Sequence, residues 1–217
     1  MRSCLLSTTY FGPVQWYQKL HRYDRVWIDT DEHFIKQTYR NRCVIATTQG
    51  TQALTIPVTH GGGTTLTRDI RISDHGKWRQ EHWNAIRTAY GESPFFEFYA
   101  DDLAPFFEQR WDFLIDFNEA IMEKMCELTD LTRPHFISPP SGVRGRLSIS
   151  PPSEGLGEIS EEFSDFRESI RPKHPLPDPD FVPKRYYQVF EHQHGFLPNL
   201  SILDLLMNEG NESILFL

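Results

Sequence analysis

The stretch that determines the fold class reads Cys4-Leu5-Leu6-Ser7-Thr8-Thr9, then Pro13, then Arg25-Val26-Trp27-Ile28. The two apolar runs have the length and composition of short β-strands. Pro13 suits the first turn of a helix, because a backbone N–H has no intrahelical partner there in any case. We expect that helix to continue to Leu20, so the chain opens with a β-α-β unit.

A β-hairpin is predicted after this opening. Asn41 to Thr47 and Gln52 to Val58 are strand-like, and Gln49-Gly50 between them supplies the positive φ that a tight turn needs. The stretch Asp69-Ile70-Arg71-Ile72-Ser73 alternates polar and apolar residues, which predicts a further strand.

The chain then becomes helical and rich in aromatic residues, which we interpret as core. Ser93-Pro94 is typical of a helix start, with Ser as cap and Pro in the first position. Ser201-Ile202-Leu203-Asp204 is an acidic variant of a capping box. The positions with helical spacing are Trp78, His82, Ile86 and Ala89, and then Leu103, Phe107, Leu114, Phe117, Ile121, Met125 and Leu128. The predicted fold class is mixed α/β with α+β character, in which the strands come first and the helical half follows.

The segment 137–185 has a different composition, since it holds 9 of the 15 prolines with Ser, Gly and Glu between them. Proline neither donates to a ladder nor continues a helix. We therefore expect a partly mobile insertion without regular helices or strands. The whole chain, 1–217, is predicted to be a single domain that carries this insertion.

Composition excludes several classes of protein. The formal net charge is -8 and the isoelectric point is about 5.6, which disfavours a broad surface for nucleic acid. The chain has no apolar run of the roughly 18 residues that a transmembrane helix needs. Met1 to Pro13 lacks the apolar core and cleavage site of a signal peptide. Three widely spaced cysteines form neither a disulfide framework nor a metal motif, so we predict a cytoplasmic protein.

A dense polar stretch between the second strand and the hairpin is the first candidate for a site. Cations and neutral donors alternate there in a chain that is otherwise acidic, and such donors fit a phosphate or carboxylate. We predict a small anionic substrate, such as a nucleotide sugar or an acyl donor. The candidate anion-binding residues are Lys36, Tyr39, Asn41 and Arg42. The alternative is a solvated loop in which Arg40 or Arg42 faces away into a buried salt bridge.

A second candidate group could carry proton transfer. His82 supplies an imidazole suited to acid–base work near neutral pH, Asp69 could orient it, and Cys43 could be the nucleophile. The alternative is structural, because a His on an apolar helix face and a Cys in a hairpin commonly pack in the core.

Metal and cofactor motifs are weak. Asp29-Thr30-Asp31 follows a strand and matches the D-x-D pattern with which glycosyltransferases hold a divalent metal, yet two acids at this spacing are common by chance. Gly61-Gly62-Gly63 is followed by a strand rather than a helix, so it is no nucleotide-binding loop. We assign no metal and no cofactor.

Several collinear motifs resemble the WbqC-like family, which is named for a gene of bacterial O-antigen clusters. The matching stretches are Tyr10-Phe11-Gly12-Pro13-Val14-Gln15-Trp16-Tyr17, Ile35 to Cys43, Leu54 to Val58, Asp69 to Ser73, Trp78, His82-Trp83, Ala89 to Phe96, Tyr187 to Phe190 and Gly195 to Leu206. The segment 137–185 resembles the insertion of Bacteroidetes members. Many members open with a His-Gln-Pro-like turn, where this chain has Ser7-Thr8-Thr9-Tyr10.

The resemblance implies a role in surface-polysaccharide biosynthesis and carries over Asn41-Arg42 and His82 as site residues. From this we predict a transferase that moves an acyl or aminoacyl group onto an amino-sugar nucleotide or a related precursor. Two alternatives stay open, namely a non-catalytic binding or scaffold protein and a metal-dependent glycosyltransferase.

Overall fold

A computed structural model describes residues 2–59, 65–137 and 162–217. The chain opens with strand β1 (Arg2–Ser7), helix α1 (Val14–Arg22) and strand β2 (Arg25–Asp29). The two strands are parallel neighbours, with Leu6 opposite Ile28. The predicted β-α-β opening is therefore confirmed.

The main sheet is parallel throughout and has four strands among the described residues. Strands β7 (His135–Ile137) and β8 (Glu162–Asp165) complete it in the order β7-β2-β1-β8. The central position of β1 explains its continuous apolar run, because both faces of such a strand are covered. Cys4, Leu5 and Leu6 are all buried.

Strand β8 corrects the expectation for the proline-rich segment. Its four residues, 162–165, pair with Arg2 to Leu5 of β1, although we predicted no strand between 137 and 185. The physical reason is local, since the prolines flank this quartet and none lies inside it. The rest of the predicted insertion up to residue 161 lies outside the described residues.

The hairpin is confirmed, with β3 (Arg42–Thr47) antiparallel to β4 (Gly50–Thr55). Its turn lies one residue earlier than predicted, over Thr48-Gln49, and Gly50, at a φ of 107°, is the first residue of β4 opposite Thr47. Pro57 has no N–H to donate, and only short strands follow it, β5 (Val58–Thr59) and β6 (Arg71–Ile72). The predicted strand over Asp69–Ser73 is thus shorter than expected. Its first residue ends a 3₁₀ turn over Thr67–Asp69 instead.

Five helices follow in the described chain: α2 (Trp78–Tyr90), α3 (Phe96–Glu108), α4 (Leu114–Leu128), α5 (Glu191–His194) and α6 (Ile202–Glu209). Helix α3 begins two residues after the predicted Ser93-Pro94 start, because the Phe96 amide bonds to the Ser93 carbonyl in a turn. The mixed α/β class, with a helical second half, is confirmed.

The Ser201 cap of α6 is confirmed, since its Oγ accepts the Leu203 amide at 3.3 Å. Asp204 does not complete the capping box but accepts hydrogen bonds from Tyr186 and Gln188. No helix in the described ranges is both long and apolar enough to cross a bilayer.

The core lies between the main sheet, the hairpin and the long helices, and it is aromatic. Tyr90 and Phe117 are fully buried, as expected for the aromatic residues of 90–117. Phe98, on α3, is an exception and is 71% exposed.

Candidate functional site

The main sheet has a switch point between β1 and β8, because the chain adds strands on opposite sides of β1. From β1 the chain passes through α1 to β2 on one side, whereas β8 pairs with β1 on the other side. In parallel sheets, ligands bind outside the carboxyl ends of the strands at such a switch point. The fold therefore directs attention to the residues that follow Ser7, Asp29 and Asp165.

A small cavity lies at this place, and we call it the switch-point cavity. Its polar lining consists of Ser7, Thr8, Thr9, Tyr39, Arg40 and Arg167. Trp16, Phe166 and Ile170 provide its apolar walls. The cavity measures about 10 Å³, which is room for about one water molecule. Strand β1, the loop before the hairpin and the segment after β8 thus meet here.

Arg40 organises one side of the cavity. Its Nε donates to Glu32 Oε1 at 2.7 Å, and its Nη2 donates to Glu32 Oε2 at 2.5 Å and to Ser7 Oγ at 2.9 Å. Ser7 Oγ in turn donates to Glu32 Oε2 at 3.0 Å. Burial raises the pKa of Glu32, and the opposing effect of the Arg40 charge is smaller. A hydroxyl, a carboxylate and a guanidinium therefore form one buried network.

Arg167 organises the other side. Its Nη1 donates to Asp29 Oδ2 at 2.5 Å and its Nη2 to Asp165 Oδ2 at 2.6 Å. Asp31, the second acid of the D-x-D motif, pairs with Arg68. Both acids of that motif therefore bind arginines. Within the described ranges, no group of three or more His, Cys, Asp or Glu side chains is placed to hold a metal ion.

Thr9 adds a free hydroxyl to the cavity. The residue is 5% exposed, and its Oγ1 has no hydrogen-bond partner in the described part of the chain. Gly12 lies against it, because a Cβ at Gly12 would come within 2.4 Å of that oxygen. The turn after β1 therefore needs a residue without a side chain at this point.

The structure separates the predicted anion-binding residues. Tyr39 lines the switch-point cavity, and Lys36 is exposed on the loop before it. Asn41 donates from Nδ2 to the Ile56 carbonyl at 2.9 Å, and Arg42 donates from Nε to Thr55 Oγ1 at 2.9 Å. Arg40 forms the buried salt bridge that we considered for this loop. Of the four candidates, only Tyr39 lines the cavity.

His82 lies in the aromatic core. Its Nδ1 is 2.9 Å from the Tyr10 hydroxyl, and its ring also bonds to the backbone of Thr55. Burial lowers the pKa of His82 to about 4, so the ring is neutral near pH 7. A carbonyl can only accept, so the ring N–H points to Thr55 and Nδ1 accepts from Tyr10.

The other two members of the predicted catalytic group lie apart from that ring. Asp69 is exposed, and the two hydrogen bonds of the His82 ring are made with Tyr10 and Thr55. Cys43 is fully buried in the hairpin, and burial raises the pKa of its thiol. The structure does not join His82, Asp69 and Cys43 into one hydrogen-bonded set, and their catalytic roles stay predictions.

Sequence reasoning missed three residues that the fold brings together. Ser7 ends the first strand, which was the available signal for a position at the sheet edge. Glu32 directly follows Asp29-Thr30-Asp31, where it was only one more acid beside a weak motif. Arg167 lies in the proline-rich segment, where no strand was expected, so its place beside β1 had no signal in the pattern.

The fold and its site are those of an α/β protein with a polar cavity at the carboxyl edge of a parallel sheet. A model of the WbqC-like protein family matches residues 8–148, and the chain belongs to this family. It is also similar to the uncharacterised protein Rv1507c of Mycobacterium tuberculosis, with 26% identity in a match that covers 88% of this chain and 86% of the relative. No solved structure matches the chain significantly.

Proposed function

We propose that this protein is a transferase of bacterial surface-polysaccharide biosynthesis, of the O-antigen type. It moves an acyl or aminoacyl group onto an amino-sugar nucleotide or a related precursor. Membership of the WbqC-like family supports the pathway, because the family takes its name from an O-antigen gene cluster. All three cysteines are free and buried, which supports a cytoplasmic reaction as part of this proposal.

The switch-point cavity is the observation that carries the proposal. It combines hydroxyl groups of the turn after β1 with two guanidinium groups, at the edge of the sheet where α/β proteins bind ligands. Arg40 and Arg167 hold buried carboxylates there, so the polar groups keep fixed positions. Fixed donors and acceptors around a small cavity are what group transfer requires.

Exposed cations on two of the segments that line the cavity support an anionic substrate. Lys36 is exposed, and the neighbouring Gln37 accepts a hydrogen bond from Lys173 at 3.3 Å. Lys173 is also exposed and belongs to the segment that carries Arg167. The two lysines therefore belong to the chain segments that also carry Tyr39 and Arg167 of the cavity lining, and exposed cations there can attract the diphosphate of a nucleotide sugar.

Acyl transfer to an amine forms one bond, breaks another and releases one proton. The amine nitrogen of the acceptor forms a bond to the acyl carbon of an activated donor, such as a thioester or an acyl phosphate. The bond from that carbon to the leaving group breaks, and the leaving group keeps the electron pair. The amine releases one proton, so the site needs a buried base and a donor for the acyl oxygen.

Ligand binding tests the proposal. Thermal-shift and calorimetric titrations with nucleotide amino sugars and acyl donors are expected to give saturable binding to the wild type. Lys36→Ala is expected to weaken binding of the nucleotide sugar about two- to fivefold, the range for a solvent-exposed charge pair. Lys77→Ala is the matched control, because Lys77 is an exposed lysine at the start of α2. The proposal fails if none of these compounds binds.

A further inference from the structure

A hydroxyl, a carboxylate and a guanidinium meet at the end of β1, and their hydrogen bonds follow the order of nucleophile, base and orienting group. Ser7 Oγ donates to Glu32 Oε2 at 3.0 Å, and Arg40 donates to both oxygens of Glu32. We propose that Ser7 is a nucleophile whose proton passes to Glu32, so that the acyl group is carried as an ester on Ser7. This inference rests on the proposed acyl transfer and adds a covalent intermediate to it.

The surroundings of Ser7 activate its hydroxyl. Arg40 Nη2 donates to Ser7 Oγ at 2.9 Å, and a positive charge at this distance stabilises the oxygen as it loses its proton. The charges facing Glu32 are Arg40 on the loop before the hairpin, Asp29 at the end of β2 and Arg167 after β8. Arg40 fixes the carboxylate through two bonds, and burial makes that carboxylate a stronger base.

Ser7 and Glu32 differ in their access to the switch-point cavity. Ser7 lines the switch-point cavity, and Glu32 contacts the Ser7 hydroxyl without being part of the lining. Because the cavity has room for only about one water molecule, a ligand reaches Ser7 from this side as the lining parts to admit it, and it meets the nucleophile before the base. In parallel sheets the end of a central strand beside the switch point is where such a group is presented to a ligand.

Thr9 supplies the third function that acyl chemistry needs. When Ser7 attacks, the acyl oxygen gains negative charge and requires a hydrogen-bond donor. The Thr9 hydroxyl is buried, lines the same cavity and has no partner among the described residues. It is therefore free to donate to that oxygen.

The two half-reactions balance. In the first, the Oγ–H proton moves to Glu32 and Ser7 Oγ bonds to the acyl carbon. The carbon–leaving-group bond then breaks, and the leaving group departs with the electron pair and takes up a proton. In the second, the acceptor amine bonds to the acyl carbon, the ester bond to Oγ breaks, and Oγ regains a proton as the amine loses one. The donor is an activated acyl compound, and no oxidant or reductant is needed.

Acylation by 4-nitrophenyl acetate tests this inference directly. We expect the full chain to release nitrophenolate in a burst and to gain one acetyl group, which peptide mapping by mass spectrometry locates on Ser7. Ser7→Ala is expected to lose both signals. Ser3→Ala is the matched control, because Ser3 is a buried serine of the same strand whose Oγ has no partner in the described chain. This control is expected to be acetylated like the wild type.

Two further variants test the base and the oxyanion donor, and the second keeps the test independent of folding. Glu32→Gln is expected to abolish the burst, but it removes the charge partner of the buried Arg40 and can lower stability. Thr9→Val preserves the shape of a side chain whose hydroxyl makes no hydrogen bond, so we expect an unchanged melting temperature. The same variant is expected to slow acetylation of Ser7 about 10²-fold, the range for loss of one oxyanion donor.

The inference is overturned if no acetyl group is gained or if it maps to another residue. It is equally overturned if Ser7 is acetylated as fast in folded Thr9→Val and Glu32→Gln as in the wild type. Failure of the wider function is a separate result. If Ser7→Ala still transfers an acyl group to an amino-sugar nucleotide, the proposed function stands and the amine attacks the donor directly.

Discussion

At the residue scale, Asp204 is the clearest buried acid outside the candidate site. It accepts hydrogen bonds from the Tyr186 hydroxyl at 2.7 Å and from Gln188 Nε2 at 3.0 Å. The Tyr90 hydroxyl also bonds to it. All three donors are neutral, so burial dominates and raises the pKa of Asp204 to about 6.

A pH-dependent stability follows from this raised pKa. Below about pH 4 the carboxyl is protonated in both states, and between about pH 4 and 6 only the unfolded chain releases the proton. Ionisation of Asp204 therefore lowers the free energy of unfolding as the pH rises, by about 3 kcal/mol in total. Well above pH 6 the carboxyl is ionised in both states, and its contribution to the free energy of unfolding stays constant. Asp204→Asn cannot ionise, so its stability relative to the wild type should improve by about 2 kcal/mol from pH 4 to pH 7. Urea titrations check this, with Asp101→Asn at an exposed position as control, and a constant difference would contradict it.

Single residues also show the limit of sequence reasoning. Tyr39 was predicted in the site and lines the cavity, because a loop that follows a strand has only a short path to the sheet edge. Arg167 could not be predicted, since its position depends on a pairing of β8 with β1 that spans more than 150 residues. Asn41 was selected for its amide, but that amide bonds to the Ile56 carbonyl beside the hairpin.

At the element scale, local patterns were sufficient for β1, α1 and the hairpin. Their apolar spacing and turn residues lie within a few residues of each other, and the structure has all of these elements, with ends that differ from the predicted ones by up to three residues. Strand β8 was missed because four residues without a turn signal carry too little local information in a proline-rich context. The 3₁₀ turn at Thr67–Asp69 was missed because alternation over five residues also suits irregular chain.

The contact between α1 and the segment after β8 yields a stability prediction. Lys19 and Asp178 form a buried pair at 2.8 Å with side chains only 1% and 3% exposed, and Lys19 Nζ lies 4.0 Å from the Phe166 ring centroid. Lys19→Met leaves Asp178 buried without a cation and should destabilise the protein by about 3–5 kcal/mol. Lys124→Met, which breaks a partly exposed pair with Asp102, should cost less than about 1 kcal/mol. Chemical denaturation measures both, and equal losses would contradict the argument.

At the scale of the whole molecule, the segment at the start of α6 is hydrogen-bonded to the turn between β1 and α1. The Val14 amide donates to the Leu200 carbonyl at 2.9 Å, and the Ile202 amide donates to the Gly12 carbonyl at 2.8 Å. Ser201 Oγ donates to the Phe11 carbonyl at 2.8 Å, while the Ser201 amide donates to Val44 of the hairpin. The start of α6 thus fills the space between the β1–α1 turn and β3.

This interlocking predicts that the described parts of the chain unfold as one cooperative unit, as expected if the prediction of a single domain over 1–217 holds. All five tryptophans lie between Trp16 and Trp111, so their fluorescence reports on the first half. Tyr187→Trp places a reporter on an exposed side chain of the second half. We expect the wild-type fluorescence, the far-ultraviolet circular dichroism and the difference signal of Tyr187→Trp to share one urea midpoint. If the second half instead unfolded at a lower urea concentration while the first half stayed native, α6 would be a docked segment that the remaining fold does not require.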